Sequence, residues 1–251
     1  MKIAFVFPGQ GSQSVGMLDA FAAVGAVQDV LVRAREALGD DLARLVAEGP
    51  AEQLALTVNT QPAMLAAGVA IYRAWLAAGG PVPSVMAGHS LGEYSALTAA
   101  DAMPLEAALR LVRFRAQAMQ EAVPAGTGSM AAILGLDDEA VIRACAEAAQ
   151  GEIVEAVNFN APSQVVIAGH AAAVARACDA AKRLGAKRAV PLAVSAPFHS
   201  SLLAGAAARL RERLRDEAID PPRVAVINNV DVTIEAEPDR IRDALARQAA
   251  A

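Results

Sequence analysis

The stretch Val85-Met86-Ala87-Gly88-His89-Ser90-Leu91-Gly92-Glu93-Tyr94 is a short apolar run that breaks at a glycine and continues as a predicted helix. It contains the pattern Gly88-x-Ser90-x-Gly92, which is typical of a nucleophile elbow, a serine on a tight turn between a strand and a helix. The turn needs small neighbours, because a side chain beside the serine would collide with the adjoining strand or helix. The stretch therefore predicts an α/β fold with this turn at the end of a sheet.

The elbow interpretation also predicts a chemical environment. The Ser90 hydroxyl would face solvent, and the Leu91 backbone N–H, at the start of the helix, would point to where an oxyanion forms. A serine that only caps the helix is the alternative, because serine is a favoured N-cap residue.

Composition limits the classes of protein to which the chain can belong. With 251 residues, 55% hydrophobic and 20% charged, it has material for one large α/β domain or a large and a small one. A net charge of -5 argues against a nucleic-acid partner. No apolar run approaches the length of a membrane span or a signal peptide, so we expect a soluble, cytoplasmic protein without membrane contact. Cys145 and Cys178 match no metal-binding spacing, which predicts two reduced, buried thiols and no metal site.

The N-terminal segment has the pattern of a strand followed by a ligand-binding loop. Ile3 to Phe7 is predicted to be a buried strand, and Pro8 to Gln13 a loop at its carboxyl end, where α/β proteins usually bind ligands. The glycine spacing in this loop misses the dinucleotide fingerprint. The loop could supply a second backbone N–H to an oxyanion, or it could be a glycine turn without chemical consequence.

Periodicity predicts the remaining elements of a large domain over residues 1–126 and 196–251. On the helix beginning near Leu105, Arg110, Arg113 and Arg115 could form an ordinary solvated face. The predicted helices are Val27 to Leu38, Pro62 to Ala78, Leu105 to Glu121, Leu202 to Glu217 and Pro238 to Gln248, and the predicted late strand is Val224 to Asn228.

A change of pattern over residues 127–195 predicts a small inserted domain. Short strands alternate there with two amphipathic helices in the order βαββαβ, which is the ferredoxin-like arrangement. The predicted elements are Met130 to Leu134, Asp138 to Ala149, Ile153 to Asn158, Gln164 to Ala168, Ala171 to Leu184 and Lys187 to Val190.

Three histidines could serve as the base that a serine nucleophile needs. His89 adjoins Ser90 on the elbow, so its side chain should point away from the site and serve packing or hydrogen bonding. His170 begins a predicted helix, where an N-terminal or surface role is expected. His199 follows Pro197-Phe198 where the chain leaves the small domain, and such junctions often form pockets. His199 is therefore the best candidate.

Several separate motifs, taken together and in this order, resemble the bacterial malonyl-CoA:acyl carrier protein transacylases, of the acyltransferase family. The resemblance extends from Ile3 to Gln248. It is highly specific to the acyltransferase family, but it distinguishes the free-standing enzymes less well from the acyltransferase domains of polyketide synthases. The motifs are Phe7-Pro8-Gly9-Gln10-Gly11-Ser12-Gln13, Gly88-His89-Ser90-Leu91-Gly92-Glu93-Tyr94, Arg115 with Met119-Gln120-Glu121-Ala122-Val123-Pro124, Asn158-Phe159-Asn160 and Pro197-Phe198-His199.

The resemblance implies a fold and a mechanism. The large domain would be α/β-hydrolase-like, with a mostly parallel sheet. Ser90 would attack the thioester of malonyl-CoA and carry the malonyl group as an ester, with His199 as its base. The backbone N–H groups of Gln10 and Leu91 would bind the oxyanion, and Arg115 would pair with the malonyl carboxylate.

Two further residues have roles that rest on the resemblance. Hydrolase triads use an acid to orient the histidine, whereas this family uses the backbone carbonyl of the residue that matches Gln248. Phe198 resembles the residue that excludes a methyl branch on the acyl group, so malonyl should be preferred over methylmalonyl. A simple core role for Phe198 is the alternative.

The resemblance also implies the partners. These are malonyl-CoA, a substrate and not a cofactor, and an acyl carrier protein; we expect no cofactor and a monomeric enzyme. Because carrier proteins are acidic, a basic surface on the small domain should receive them, and its candidate residues are Lys182, Arg183, Lys187 and Arg188. Family members continue past the residue that matches Gln248 with a further strand and helices, and the sequence leaves open whether this chain is truncated.

Competing functions remain open from the sequence. A polyketide or other malonyl-using acyltransferase would share every motif above. A serine esterase or thioesterase would share the elbow but has no use for Arg115. A catalytically silent scaffold of the same fold is the third alternative.

Overall fold

The computed structural model describes residues 2–124, 126–194 and 196–250. The chain divides into two compact units: Met1–Gln117 with Leu210–Leu245, and Ala118–Arg209 with Ala246–Ala251. Met1, Ser195 and Ala251, which bound the predicted domains, lie outside the described residues. The molecule has a mixed α/β fold with one parallel sheet and a separate antiparallel sheet.

Strands and helices alternate along most of the chain, which is typical of α/β proteins. The strands are β1 (Ala4–Phe7), β2 (Val85–Gly88), β3 (Gly128–Leu134), β4 (Val154–Ala161), β5 (Gln164–His170), β6 (Arg188–Pro191) and β7 (Ala225–Ile227). The helices are α1 (Gly25–Leu38), α2 (Leu42–Glu48), α3 (Ala51–Leu54), α4 (Thr57–Ala77), α5 (Leu91–Ala99), α6 (Leu105–Glu121), α7 (Asp138–Ala149), α8 (Ala171–Arg183), α9 (Ala204–Arg215) and α10 (Pro238–Gln248).

The first unit is built on a three-stranded parallel sheet in the order β1-β2-β7. Phe7 lies opposite Gly88 and Ala87 lies opposite Ile227, so all three strands end at the same edge. Parallel α/β sheets carry their ligand sites at this carboxyl edge. The Pro8–Gln13 loop, the Ser90 turn and the segment after Ile227 all begin there.

Two long helices support this sheet and its edge. The middle of α4 is buried on nearly all sides, so it is a core helix and not an amphipathic surface helix. Its Tyr72 meets Phe5 of β1 edge to face, with ring centroids 5.3 Å apart. Helix α6 is anchored to α1 by a bidentate ion pair in which Arg33 donates to both carboxylate oxygens of Glu106, at 2.6 and 3.0 Å.

The second unit contains an antiparallel sheet in the order β4-β5-β3-β6. Alternate residues of its strands, such as Ala131 and Ile133, are fully buried in a cluster that includes the apolar faces of α7 and α8. Cys145 and Cys178, on those two helices, belong to this cluster and are free thiols, as the sequence predicts. Burial raises the pKa of Cys145 to about 12, so it stays protonated at neutral pH.

The predicted elements agree with the structure most closely where helix ends have clear signals. The helices over Leu105–Glu121, Asp138–Ala149 and Pro238–Gln248 have the predicted bounds. The start of α4 at Pro62 is wrong, because the helix begins at Thr57 and Pro62 lies inside it. Proline is most often found in the first turn of a helix, so the sequence pattern favours it as the start.

Other differences concern short or continuous elements. The helices α2 and α3 were not predicted, and at seven and four residues they are too short for periodicity to show. The predicted end of a strand at Asn158 is too early, because β4 continues to Ala161, which pairs with Gln164. None of the helices among residues 2–124, 126–194 and 196–250 is long and apolar enough to cross a bilayer.

The glycines of the elbow are required by close backbone packing. A Cβ on Gly88 would lie 1.9 Å from the Gly92 carbonyl carbon, and a Cβ on Gly92 would lie 2.2 Å from the Phe7 oxygen. Neither neighbour is a flexible side chain that could move away. Strand β1, strand β2 and helix α5 can therefore approach this closely only with glycine at both positions.

Gly92→Ala should destabilise the protein by about 2 kcal/mol or more, because the new methyl group meets the backbone of Phe7 and Pro8. Thermal and denaturant unfolding would measure the loss. Gly205→Ala in α9 is the matched control, since an added Cβ there meets no atom within 4 Å. The control should be neutral or stabilising. Equal melting temperatures for Gly92→Ala and the wild type would contradict the packing argument.

Candidate active site

Ser90 lies in a strained turn at the N-terminus of α5. Its φ of 50° and ψ of -108° fall outside the regions that residues with a side chain normally adopt. The serine occupies the N-cap position, yet its side chain makes no capping hydrogen bond. The alternative in which Ser90 serves only as a helix cap is therefore excluded.

The Leu91 N–H is the backbone donor of interest at this helix start, because the N–H groups of Ser90, Gly92 and Glu93 already have acceptors. Leu91 is the first residue of α5, so its N–H has no acceptor within the helix. The Pro8–Gln13 loop lies against the elbow, because a Cβ on Gly9 would be 2.6 Å from the His89 carbonyl oxygen. The same Cβ position is 2.9 Å from His89 Nδ1, which places the His89 ring beside that loop.

Arg115 is buried in the first unit, with 2% of its surface exposed. Its Nη2 donates to Ser90 Oγ at 3.1 Å, and its Nη1 donates to Gln61 Oε1 at 2.8 Å. The solvated-face interpretation is thus wrong for Arg115. It is also wrong for Arg113, which donates to Asp40 at 2.8 Å and is mostly buried.

The hydrogen bonds continue from Arg115 to the loop after β1. Gln61 donates through Nε2 to Thr57 Oγ1 at 3.2 Å, and Thr57 donates through Oγ1 to Gln10 Oε1 at 2.7 Å. Gln61 and Thr57 are almost fully buried, so these bonds form in a low-dielectric environment. The side chain of Gln10 is thereby tied to the guanidinium of Arg115.

An aromatic ring and burial set the electrostatics around the guanidinium. The Arg115 Cζ lies 5.4 Å from the centroid of the buried Tyr94 ring, within cation–π range. Burial lowers the pKa of Arg115, while the nearby Tyr94 and Glu93 act in the opposite direction. Burial also raises the pKa of Tyr94, so this phenol stays neutral.

His199 lies in the second unit, in a turn of unusual conformation. Ser200 N donates to Pro197 O at 3.3 Å, and His199 has a φ of 66°. Glycine normally occupies such a position, so a histidine there is strained. The turn is braced by the Glu155 carboxylate, which accepts from both N and Oγ of Ser201 at 2.7 and 2.8 Å.

The contact between His199 and Gln248 defines the histidine tautomer. The Nδ1 atom lies 2.7 Å from the backbone oxygen of Gln248, and both residues are buried. Because a carbonyl oxygen can only accept, the proton resides on Nδ1, and Nε2 carries the basic electron pair of the neutral ring. Phe198, adjacent to this histidine, is 8% exposed.

The candidate residues therefore fall into two groups. The first unit brings together Ser90, Leu91, Gln10 and Arg115, and the second brings together His199, Phe198 and Gln248. His170 accepts a hydrogen bond from Ile153 N at 3.0 Å, so it serves the second unit structurally. Among the described residues, no three metal-binding side chains are grouped as a metal site would require.

Four polar residues escaped the sequence analysis as parts of the site. Thr57 and Gln61 are buried near the start of the largely apolar α4, and buried polar residues of this kind signal a hydrogen-bond network. Glu93 was noted only within a motif, and Asn229 lies beyond a short strand without any recognisable signal. Asn229 contacts the elbow at the Ser90 N–H, and Glu93 accepts a hydrogen bond from the Asn229 N–H.

The predicted basic surface surrounds the connection between α8 and β6 in the second unit. Lys182 pairs with Asp179 at 3.5 Å, and Arg183 pairs with Glu147 at 2.5 Å. Lys187 and Arg188 have no ion-pair partner among the residues that the structure describes. These two residues therefore carry most of its uncompensated positive charge.

Comparison with known proteins shows the family to which the chain belongs. Residues 4–247 match the acyl transferase domain family. The chain is 55% identical over 248 residues to the malonyl CoA-acyl carrier protein transacylase of Escherichia coli (strain K12). The aligned residues cover 98% of this chain and 80% of that protein. It is 45% identical to the protein of the same description from Bacillus subtilis (strain 168), over 98% of this chain and 78% of that one.

Solved structures give the same result. An acyl-carrier-protein S-malonyltransferase from Burkholderia pseudomallei 1710b has a TM-score of 0.98 and 62% identity, covering 100% of this chain and 81% of that one. A structure described as a type II PKS acyl-carrier protein in complex with its malonyl-transacylase has a TM-score of 0.98 and 54% identity, covering 100% and 81%. The predicted resemblance is thus confirmed. The chain belongs to the acyl transferase family, and within that family to the malonyl CoA-acyl carrier protein transacylases.

Proposed function

We propose that the protein transfers the malonyl group of malonyl-CoA to the phosphopantetheine thiol of an acyl carrier protein, through an ester on Ser90, and so supplies fatty acid synthesis. The observation that carries the proposal is the buried guanidinium of Arg115, 3.1 Å from Ser90 Oγ. A hydrolase for neutral esters gains nothing from a buried cation beside its nucleophile, whereas an acyl group ending in a carboxylate needs one.

In the first half-reaction, Ser90 Oγ attacks the thioester carbonyl carbon while His199 Nε2 takes the serine proton. The C–S bond then breaks, and the coenzyme A sulfur leaves with that proton as a thiol. In the second half-reaction, His199 deprotonates the phosphopantetheine thiol, whose sulfur attacks the ester. The proton returns to Ser90 Oγ as the C–O bond breaks, so no cofactor is consumed.

The negative charge that develops on the carbonyl oxygen needs donors that are in place beforehand. We assign this role to the backbone N–H groups of Leu91 and Gln10, on the helix start and on the loop packed beside it. The Gln10 side chain is held by Thr57, so it stabilises the conformation of the loop. Substitution of the Leu91 or Gln10 side chain should therefore shift these backbone N–H donors without removing them.

The histidine is oriented by a neutral group. The Gln248 carbonyl holds His199 Nδ1–H and stabilises the imidazolium less than a carboxylate would. We suggest that this weaker activation suits transfer to a thiol better than attack by water. Phe198, next to His199, would exclude a methyl branch on the acyl group and favour malonyl over methylmalonyl.

The arrangement of domains follows from the same proposal. Residues 127–195 would form a ferredoxin-like domain inserted in an α/β-hydrolase-like domain of residues 1–126 and 196–251. The βαββαβ order and the strand order β4-β5-β3-β6 support the first part. Monomeric state, cytoplasmic location and the lack of nucleic-acid and membrane partners stay predictions from the sequence.

The carrier protein would approach the basic surface of the second unit. Its uncompensated residues, Lys187 and Arg188, would attract an acidic partner and favour encounter more than tight binding. A polyketide carrier protein is the alternative acceptor. This alternative is supported by one solved relative, which is described as a type II PKS acyl-carrier protein in complex with its malonyl-transacylase.

Brief exposure to malonyl-CoA should add one malonyl group to Ser90, detected by intact-mass spectrometry and peptide mapping. Ser90→Ala should form no adduct, and His199→Ala should form it at least about 100-fold more slowly, because general-base catalysis contributes that much. Release of free malonate as fast as malonyl-CoA is consumed, without an acceptor thiol, would instead identify a thioesterase. A folded protein that gains no adduct would be a silent scaffold.

Arg115→Lys should lower kcat/KM for malonyl-CoA by at least about tenfold, because lysine keeps the charge but loses the planar fork. Arg115→Ala should lose more and should acylate Ser90 from acetyl-CoA no more slowly than the wild type does. Arg113→Lys is the control on the same helix, since Arg113 pairs with Asp40 away from Ser90. Equal losses with malonyl-CoA and acetyl-CoA would contradict the carboxylate-binding role.

A further inference from the structure

We infer that Asn229 and Glu93 form a clamp that holds Ser90 in its reactive conformation, so that Asn229 is a positioning residue for the nucleophile. The inference rests on the proposed role of Ser90. It concerns two residues to which the mechanism above gives no task. Both belong to the first unit, as does the elbow that Asn229 contacts.

The Asn229 side chain bonds to both sides of the elbow. Its Oδ1 accepts from Ser90 N at 2.7 Å, and its Nδ2 donates to the Gly88 carbonyl oxygen. The Gly88 carbonyl and the Ser90 N–H belong to the two peptide units on either side of His89, which lead into Ser90. The side chain thus fixes the turn before and at the nucleophile.

Glu93 completes the clamp from the first turn of α5. Its Oε2 accepts from Asn229 Nδ2 and from the Asn229 backbone N–H, each at 2.9 Å. Glu93 is 2% exposed, so this carboxylate is bound by these donors and not by bulk water. Three of the four hydrogen-bonding positions of the Asn229 amide are then used: its oxygen accepts from one donor, and both of its N–H groups face acceptors.

Backbone strain explains why a clamp is needed. A serine at φ 50° relaxes to an ordinary conformation unless its surroundings prevent it. Rotation at Ser90 would redirect Oγ away from Arg115 and from the proposed oxyanion donors. The Ser90 N–H is occupied by Asn229, which also leaves the Leu91 N–H as the donor at this helix start.

The segment that carries Asn229 is itself braced. Asn228 is buried, accepts from Asp231 N at 2.7 Å and donates through Nδ2 to Thr233 Oγ1 at 3.2 Å. The two adjacent asparagines therefore have different roles: the Asn228 side chain stabilises its own loop, and the Asn229 side chain stabilises the elbow. This difference provides a matched control.

Asn229→Asp is the sharpest test, because it keeps the shape and the acceptor for Ser90 N–H while replacing Nδ2 with an oxygen. That oxygen faces the Gly88 carbonyl and the Glu93 carboxylate and carries at most one proton, so at least one of the two donated bonds is replaced by repulsion between oxygens. We expect the maximal rate of Ser90 acylation to fall about 100-fold, as small misplacements of reacting atoms do. The half-saturating malonyl-CoA concentration should change less than about threefold.

A second variant distinguishes positioning from general damage. In the double variant Glu93→Gln with Asn229→Asp, the amide introduced on α5 can donate to the new carboxylate, and the repulsion between two carboxylates is removed. It should regain about tenfold in acylation rate over Asn229→Asp alone. Asn228→Asp introduces the same charge one residue away, where both neighbours can donate to it, and should acylate at close to the wild-type rate.

Rapid-quench intact-mass spectrometry would measure each acylation rate, with thermal unfolding of the same samples. A folded Asn229→Asp that acylates within about threefold of wild type, or a double variant without recovery, would overturn the inference. If Asn229→Asp does not fold, Asn229→Ala carries the test, and an unchanged maximal rate overturns it. A wild type that forms no adduct would refute the proposed function instead, and Ser90→Ala provides that baseline.

Discussion

The closeness of three backbone segments at the elbow is the constraint on which the rest of the structure depends. Strand β1, strand β2 and helix α5 meet so tightly that a methyl group at Gly88 or Gly92 would lie about 2 Å from backbone atoms. Ser90 lies midway between these glycines, at the sharpest point of the turn. Its positive φ is a consequence of the packing around it.

A buried network of hydrogen bonds connects the strained serine to a cation and to the loop after β1. Arg115 reaches Ser90 Oγ from α6, while Gln61 and Thr57 connect the same guanidinium to the loop after β1. A buried cation is costly unless its hydrogen bonds are satisfied, so the glutamine and threonine stabilise the arginine before substrate arrives. The malonyl carboxylate would then enter a site whose charge and geometry are already fixed.

Much of the fold could be predicted because its signals are local. The Gly-x-Ser-x-Gly spacing indicates where backbone segments pack closely. The periodic pattern of apolar residues predicts helices such as Leu105–Glu121 and Pro238–Gln248 with the bounds that the structure shows. The position of Pro62 was misleading because a proline in a helix is most often found in its first turn, whereas the buried helix α4 begins earlier, at Thr57. Short helices such as α2 lack enough residues to show a period.

The parts of the site that the sequence could not provide are those made by contacts distant along the chain. Asn229 bonds to Ser90 across 139 positions, and nothing near it in sequence marks it as part of an active site. Arg115 looks like any helix arginine until its burial is known. The sequence alone thus identifies the reacting groups by type, whereas the residues that orient them require coordinates.

The most direct test of a transfer through Ser90 is isotope exchange in the absence of carrier protein. Labelled coenzyme A, incubated with unlabelled malonyl-CoA and the protein, exchanges into the thioester only if an acyl-enzyme forms and reverts. A malonyl ester on Ser90 predicts rapid exchange. Exchange that appears only after an acyl carrier protein is added would contradict a covalent intermediate on Ser90.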